Sequence, residues 1–475
     1  MGPAAATKKE LRHAHGVTVP HATPQADGPG IPGYPGTCDW VRPMAGPLPT
    51  RTRAGYALGG VATGSFGTVP GLMLLPYLTE RLAVPAALAG IIVFAPKAWD
   101  VVLNPIAGRI SDRSTAPDGP RRPFLIRAGL TLALAFALLF AGPTSPSALA
   151  AAWVGALFLA CATAYAFFQV PYVAMPAELT QDPDERTALM TWRVAVLALA
   201  ILVSGGLAPV IRNGLGPERG YTVMGLAVAL LIAAGALGAW RGTRGAPVGQ
   251  VAVAAGGLRD QLAVVTADRD FRAVLVTFVV QALGIGAMLA GVDYVARQVL
   301  HRPGAASLLF VCLVAPAIVC TPAWQWLGAR IGKRSGYVVS SLVLATGALA
   351  LAAAGTLPLV AVYGAAAVVG VGYAGAQLFP LAMLPDVAAA DATRTGQNRI
   401  GVFTGIWTAG ETLGMALGPG IFGLLLSLGG YVSSNDSAAS QPASAVAAIV
   451  LGFSVLPAVL VLGSLVVLRG YRHRS

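Results

Sequence analysis

The chain has 475 residues, of which 56% are hydrophobic and only 11% charged, with a mean hydropathy of +0.70. That is too little charge to cover a soluble globule of this size, so a water-soluble enzyme or binding module is excluded and a polytopic membrane protein is expected. The formal charge of +12 reads as membrane topology rather than as a nucleic-acid footprint, and no nucleic-acid partner is expected.

Residues 1–50 are rich in Pro, Gly, Ala and His without an apolar period, which predicts a disordered tail with no signal-peptide core. His13, His15 and His21 lack a Cys or carboxylate at ligand spacing, so no metal site is expected there. Twelve apolar segments follow, each near the roughly 20 residues that cross the hydrocarbon. They run over 54–78, 88–110, 123–143, 147–177, 188–211, 220–240, 272–297, 305–329, 335–355, 358–385, 398–428 and 446–468. Barrel patterning is absent. The fold expected is an all-α membrane protein of twelve transmembrane helices in two six-helix bundles, 51–240 and 272–475, joined by a polar, partly helical linker over 241–271. A short basic turn follows the second span of each half, Gly108–Arg113 and Gly328–Arg334, a weak hint of an internal repeat. Cys38 falls in the tail and Cys161 stands alone in the fourth span. Cys312 and Cys320 are eight residues apart on one helix, roughly 12 Å by helical rise and too far for a disulfide.

Placing both termini in the cytoplasm leaves only Arg81, Arg212, Arg219, Arg297 and Arg302 on the other side. Apart from Lys97, which lies within a span, every other Lys and Arg is then inside, a strong positive-inside signal for a multi-pass protein of the plasma membrane.

The second span contains Lys97-Ala98-Trp99-Asp100-Val101-Val102-Leu103-Asn104-Pro105. A carboxylate there costs roughly 2.5 to 3.5 kcal/mol on insertion scales, so Asp100 is a functional-site candidate by default, with Lys97 three residues away on the same helical face as its nearest partner. The competing reading is an ion pair that only keeps this helix in register. Among other polar residues in spans, Gln169, Tyr172, Gln281, Trp324, Gln377, Trp407 and Thr412 can bind a solute by hydrogen bonding and stacking, although each singly is also explained by helix packing. Asp293 and Arg297, four apart near the outer end of the seventh span, read as a surface ion pair worth little. No His/Asp/Glu metal cluster or nucleophile and base pairing points to an enzyme.

Four phrases, WDVVLNPIAGRISDRS (99–114), GPRRPF (119–124), QVPYVAMPAELTQDPDERT (169–187) and MLPDVAAADATRTGQNRIGVFTGIWTAGETLGMALG (383–418), occur in order at the expected helices and loops. In them the chain resembles the glycoside-pentoside-hexuronide:cation symporter family of the major facilitator superfamily, over about Tyr56 to Tyr431. The resemblance implies alternating access and uptake of a sugar or glycoside coupled to sodium or proton. It puts Asp100 on a cation-site aspartate and Lys97 on the basic residue before it. Asn104 stands where the second carboxylate of the cation site is expected, Gly64 where the first helix carries an acid, Gln169 where the fourth carries an aspartate, and Thr412 where the eleventh carries a lysine. It also assigns Asp112, Arg113, Arg121, Arg122, Glu178, Arg186, Asp386 and Arg394 to gating, through charges at helix ends that bridge the bundles in one access state.

Sodium asks for several hard oxygens with net negative charge. Asp100, Asn104, Gln169 and Thr63 offer oxygens, but one anion beside Lys97 favours a proton as coupling ion, carried by Asp100 with Glu411 as a second carrier. No cofactor is expected, and the partners are a small solute and the bilayer, with the protein a monomer. The reading is a secondary active transporter. Its rivals are an uncoupled facilitator, an exporter of an apolar metabolite or lipid, and a receptor or scaffold that has lost transport.

Overall fold

Hydrocarbon offers the backbone no hydrogen-bonding partner, so apolar segments of this length must satisfy their amides internally and become helices. The computed structural model describes residues 48–114, 116, 119–180, 182–246, 263, 268–395, 400–435 and 440–471. The expectations for residues 1–47, including His13, His15, His21 and Cys38, for most of the 241–271 connection and for Arg399 lie outside the described residues. Among the described residues the membrane-capable helices are α1 (Thr50–Arg81), α2 (Ala86–Asp112), α3 (Arg122–Leu139), α4 (Ser147–Ala174), α5 (Glu185–Gly214), α6 (Glu218–Thr243), α7 (Arg269–Val299), a bent α8 (Ala305–Val319 and Thr321–Ile331), α9 (Lys333–Ala353), α10 (Leu359–Arg394), α11 (Val402–Leu428) and α12 (Ala443–Leu468). The two segments of α8 meet at 51°. Pro316 inside the first and Pro322 at the start of the second supply no amide hydrogen, which breaks the ladder there. Twelve crossings return the chain to the face from which it entered. We call that the terminal face.

The two halves are built alike. In the first, α1 packs on α5 and α6, α3 on α4 and α6, and α2 on α4. In the second, α7 packs on α11 and α12, α9 on α10 and α12, and α8 on α10, which is the same set of pairings shifted by six helices. Both α1 and α7 end in a π turn, Tyr77–Arg81 and Val295–Val299. Each is followed by a left-handed residue, Ala83 (φ 51°) and His301 (φ 52°), two positions before Pro85 and Pro303. The repeat is therefore carried by pairing and backbone shape far more clearly than by side-chain identity.

The bundles meet through α2 with α11, α5 with α8 and α1 with α7, and the same six-helix shift exchanges the first two of these contacts. Small residues allow the close approach. A Cβ on Gly90 of α2 would lie 2.9 Å from the Gly420 carbonyl oxygen and 3.3 Å from Gly423 Cα of α11. Gly205 of α5 lies against the Phe310 ring of α8. These contacts sit in the halves of the helices away from the terminal face. Towards the terminal face, Thr404, Gly405 and Thr408 of α11 are exposed, and a Cβ at Gly405 would meet nothing within 4 Å. The bundles thus converge at one face and part at the other.

Candidate functional site

α2 carries two stripes at helical spacing. Trp99, Val102, Ile106 and Ile110 are exposed on one side, a lipid-facing stripe. Lys97, Asp100 and Asn104 lie on the other, where they line a cavity of about 250 Å³ between the bundles. Gln169 of α4 and Glu411 and Thr412 of α11 line the same cavity, so six of the residues singled out from sequence converge on it from both halves. Asp100 is buried, its Oδ2 lies 3.9 Å from Lys97 Nζ, and its Oδ1 meets no protein donor. The Gln169 Oε1 is also buried without a protein partner. Two residues that line the cavity therefore each keep a buried acceptor without a protein donor, an arrangement expected of a site for hydroxyls or a transferable proton.

Lys97 is held by more than Asp100. Its Nζ stands 4.3 Å from the Phe66 ring centroid and 5.3 Å from that of Tyr165. A cation over aromatic faces is stabilised where water is scarce. Sequence reasoning missed both rings, although Tyr165 lies four residues before Gln169 and so shares its face of α4.

A second cavity of about 240 Å³ adjoins the first and shares Gly67, Thr68, Leu289 and Met415 with it, so the two form lobes of one crevice. This lobe is apolar, with Ile201, Phe310, Leu313 and Val314 among its walls. Thr63 lines this lobe and not the one that holds Asp100, and it gives its hydroxyl hydrogen to the Gly60 carbonyl (3.1 Å). Gly64 lines it too. A Cβ there would come within 2.9 Å of the Leu197 carbonyl and 3.0 Å of Ala200 Cβ, so the contact of α1 with α5 leaves no room for a side chain at this position. Gly64→Ala is expected to lower stability by about 1–3 kcal/mol through overpacking, measurable as an earlier thermal transition in detergent.

The other expected solute contacts are structural or peripheral. Tyr172 is fully buried and donates to the Tyr56 carbonyl (2.8 Å), locking α4 to α1 rather than lining the crevice. Trp324 donates Nε1 to the Val371 carbonyl (2.8 Å) inside the second bundle, and Trp407 stacks on Phe278 at 4.4 Å. In both cases the large ring fills space between helices. Gln281 and Gln377 line a small recess of the second bundle with Tyr373 and Glu411. There Gln281 donates to Ser341 (3.0 Å) and Ser464 (3.1 Å), and Gln377 to the Tyr373 hydroxyl (2.9 Å).

The expected gating charges pair within their own bundles in this state, because the bundles are apart at the terminal face. Arg121 bridges Asp112 (2.6 Å) and Glu178 (3.1 Å), tying α2 and α3 to the turn after α4, and Arg122 donates to the Ala246 carbonyl. Burial pushes the Glu178 carboxyl above its ordinary range, against the pull of Arg121 and Arg122. Arg186 donates to the Thr180 carbonyl (3.3 Å), and Arg113 is exposed. In the second half Lys333 pairs with Asp386 (2.5 Å), and Arg394 with Asp391 (2.9 Å) and Asp268 (3.5 Å).

The cross-bundle polar contacts lie instead at the opposite face. Asp293 of α7 is wholly buried and paired with Arg212 of α5, which overturns its reading as a surface partner of Arg297 alone. Arg297 contacts Asp293 (3.1 Å), Glu80 of α1 (3.4 Å) and Asn213 of α5 (3.1 Å). The Tyr431 hydroxyl donates to Glu80 (3.3 Å), and Thr79 and Tyr294 share a hydrogen bond at 2.6 Å. Two arginines and two acids, balanced in charge, thus fasten α1 and α5 to α7.

Residues 55–473 match the family described as MFS/sugar transport protein. The chain is 26% identical to an uncharacterized symporter of Synechocystis sp., over 87% of this chain and 92% of that one. It is 24% identical to the isoprimeverose transporter of Lactiplantibacillus pentosus, over 87% and 86% respectively. Among solved structures, the D-xylose-proton symporter superposes with a TM-score of 0.66 at 14% identity, covering 88% of this chain and 97% of that chain, a likeness of fold.

Proposed function

Since this chain belongs to the MFS/sugar transport family, we propose that it carries a small hydroxylated solute, a sugar or glycoside, through the crevice between its bundles by alternating access driven by protons. The observation that carries this reading is the convergence of Lys97, Asp100, Asn104, Gln169, Glu411 and Thr412, from both halves, on one cavity with buried acceptors left open. Hydroxyl groups of a solute can donate to Asp100 Oδ1 and Gln169 Oε1, while Lys97 can donate to a hydroxyl or ring oxygen. A proton suits the site better than sodium. Asp100 is the carboxylate of the polar lobe on the α2 side, Lys97 stands 3.9 Å away, and Thr63 lines the other lobe.

The excess of Lys and Arg on the side of the termini supports a cytoplasmic terminal face in the plasma membrane; in that orientation the crevice described opens inwards and the Glu80–Arg212–Asp293–Arg297 cluster closes the outside. The whole pathway lies within one chain, and the protein acts as a monomer. In proteoliposomes, an inward proton gradient is expected to raise uptake of a transported glycoside above its equilibrium level, and a protonophore to abolish the excess. Uptake driven equally well by sodium alone would replace the proton in this reading, and no gradient-driven uptake would make the protein a facilitator.

A further inference from the structure

The crevice is chemically divided. Its polar lobe holds Lys97, Asp100 and Gln169. Its apolar lobe has Thr63 and Tyr373 as its polar side chains, the first donating to the Gly60 carbonyl and the second accepting from Gln377, with Thr68 at the junction. A free monosaccharide carries hydroxyls around most of its ring. Placed across both lobes, it would press donors and acceptors against hydrocarbon with nothing to bond, which costs affinity. Confined to the polar lobe, it leaves an apolar space of about 240 Å³, nearly as large as its own, filled with water.

Resting on the carrier reading above, we propose that the solute is an amphiphilic glycoside. Its sugar is held by Lys97, Asp100 and Gln169, and its apolar aglycone lies in the lobe walled by Ile201, Phe310 and Val314. The junction between lobes is open for such a molecule: a Cβ on Gly67, which lines both, would meet nothing within 4 Å. Gly67 is therefore where the aglycone passes from one lobe to the other. A side chain added there grows into the passage rather than into the protein.

The test uses the full chain in lipid nanodiscs and proteoliposomes with methyl, propyl and hexyl β-glycosides of glucose, galactose, xylose and glucuronic acid. Binding is read by ligand-induced thermal stabilisation and transport by uptake. For the sugar that responds, affinity is expected to rise about fourfold for each added methylene, the gain from burying one CH₂. Gly67→Leu should flatten that dependence, and Val314→Thr should cut it to less than twofold per methylene. Because the slope is a ratio within each variant, a change in expression or overall stability leaves it unaffected. A slope near one in the unaltered protein or an unchanged slope in both variants overturns the proposal. Uptake of methyl glycosides with a flat series would remove the aglycone site and leave the carrier standing, whereas neither binding nor uptake of any member would remove both.

Discussion

Asp100→Asn is expected to abolish proton-driven accumulation while exchange of solute across the membrane persists. The substitution keeps shape and one acceptor oxygen but removes the capacity to gain and lose charge at the centre of the crevice. Under a gradient of one pH unit, one coupled proton supports a concentration ratio of about tenfold, since a tenfold ratio corresponds to about 1.4 kcal/mol. The variant should fall to a ratio of one. Lys97 would then lose the anion 3.9 Å away but keep its contacts with Phe66 and Tyr165, so the helix should stay in place. Gradient-driven uptake and counterflow, measured on the same proteoliposomes, separate the two effects. If accumulation survives in Asp100→Asn and disappears in Glu411→Gln, the proton is carried from the second bundle instead.

The largest effect on conformation is expected from Asp293→Asn. Asp293 is fully buried, paired with Arg212 of the other bundle and with Arg297, and removing its charge strands Arg212, itself buried. Breaking a buried pair on one side costs about 3–5 kcal/mol, because the remaining charge is left without compensation. Here that cost falls on the state closed at the opposite face. A bias of 3 kcal/mol corresponds to a shift of more than a hundredfold towards the alternative state or towards unfolding. A cysteine introduced at Thr79 should become reactive to an impermeant thiol reagent, and the thermal transition should move down. Replacing the pair with apolar residues, Arg212→Met with Asp293→Leu, is expected to recover much of the stability, which separates the stranded charge from lost packing. Unchanged labelling and stability in Asp293→Asn would mean that the glycine contacts alone hold this face shut.

Helix count and most span limits were legible because hydropathy and length decide them, whereas α10 runs to Arg394, past the expected end at 385, because its last turns are polar. The spacing of Lys97, Asp100 and Asn104 was legible too, because i, i+3 and i+7 share a face whatever the neighbours are. The bend of α8 was not, since Pro316 and Pro322 are tolerated in membrane helices and their effect depends on what packs alongside. On α4, Gln169 faces the crevice and Tyr172 faces α1, but apolar residues surround the helix, so its sequence carries no phase to tell the two apart. Asp293 was misread for a related reason. Its neighbour four residues on is visible in the sequence, whereas Arg212 reaches it from 81 positions away only once the bundles meet.

The Gly90 contact with Gly420 and Gly423 has a mechanical consequence. Backbone lies against backbone at Gly90 and Gly423, with the Phe94 side chain beside Gly420, so α2 and α11 can roll over each other about this close approach while helical ladders on both sides stay intact. The matching contact of α5 with α8 seats Gly205 against the Phe310 ring, a notch that resists sliding. Tilting should therefore start along the α2–α11 edge, and a methyl group at Gly90 would act as a wedge there, prying the outer rim apart.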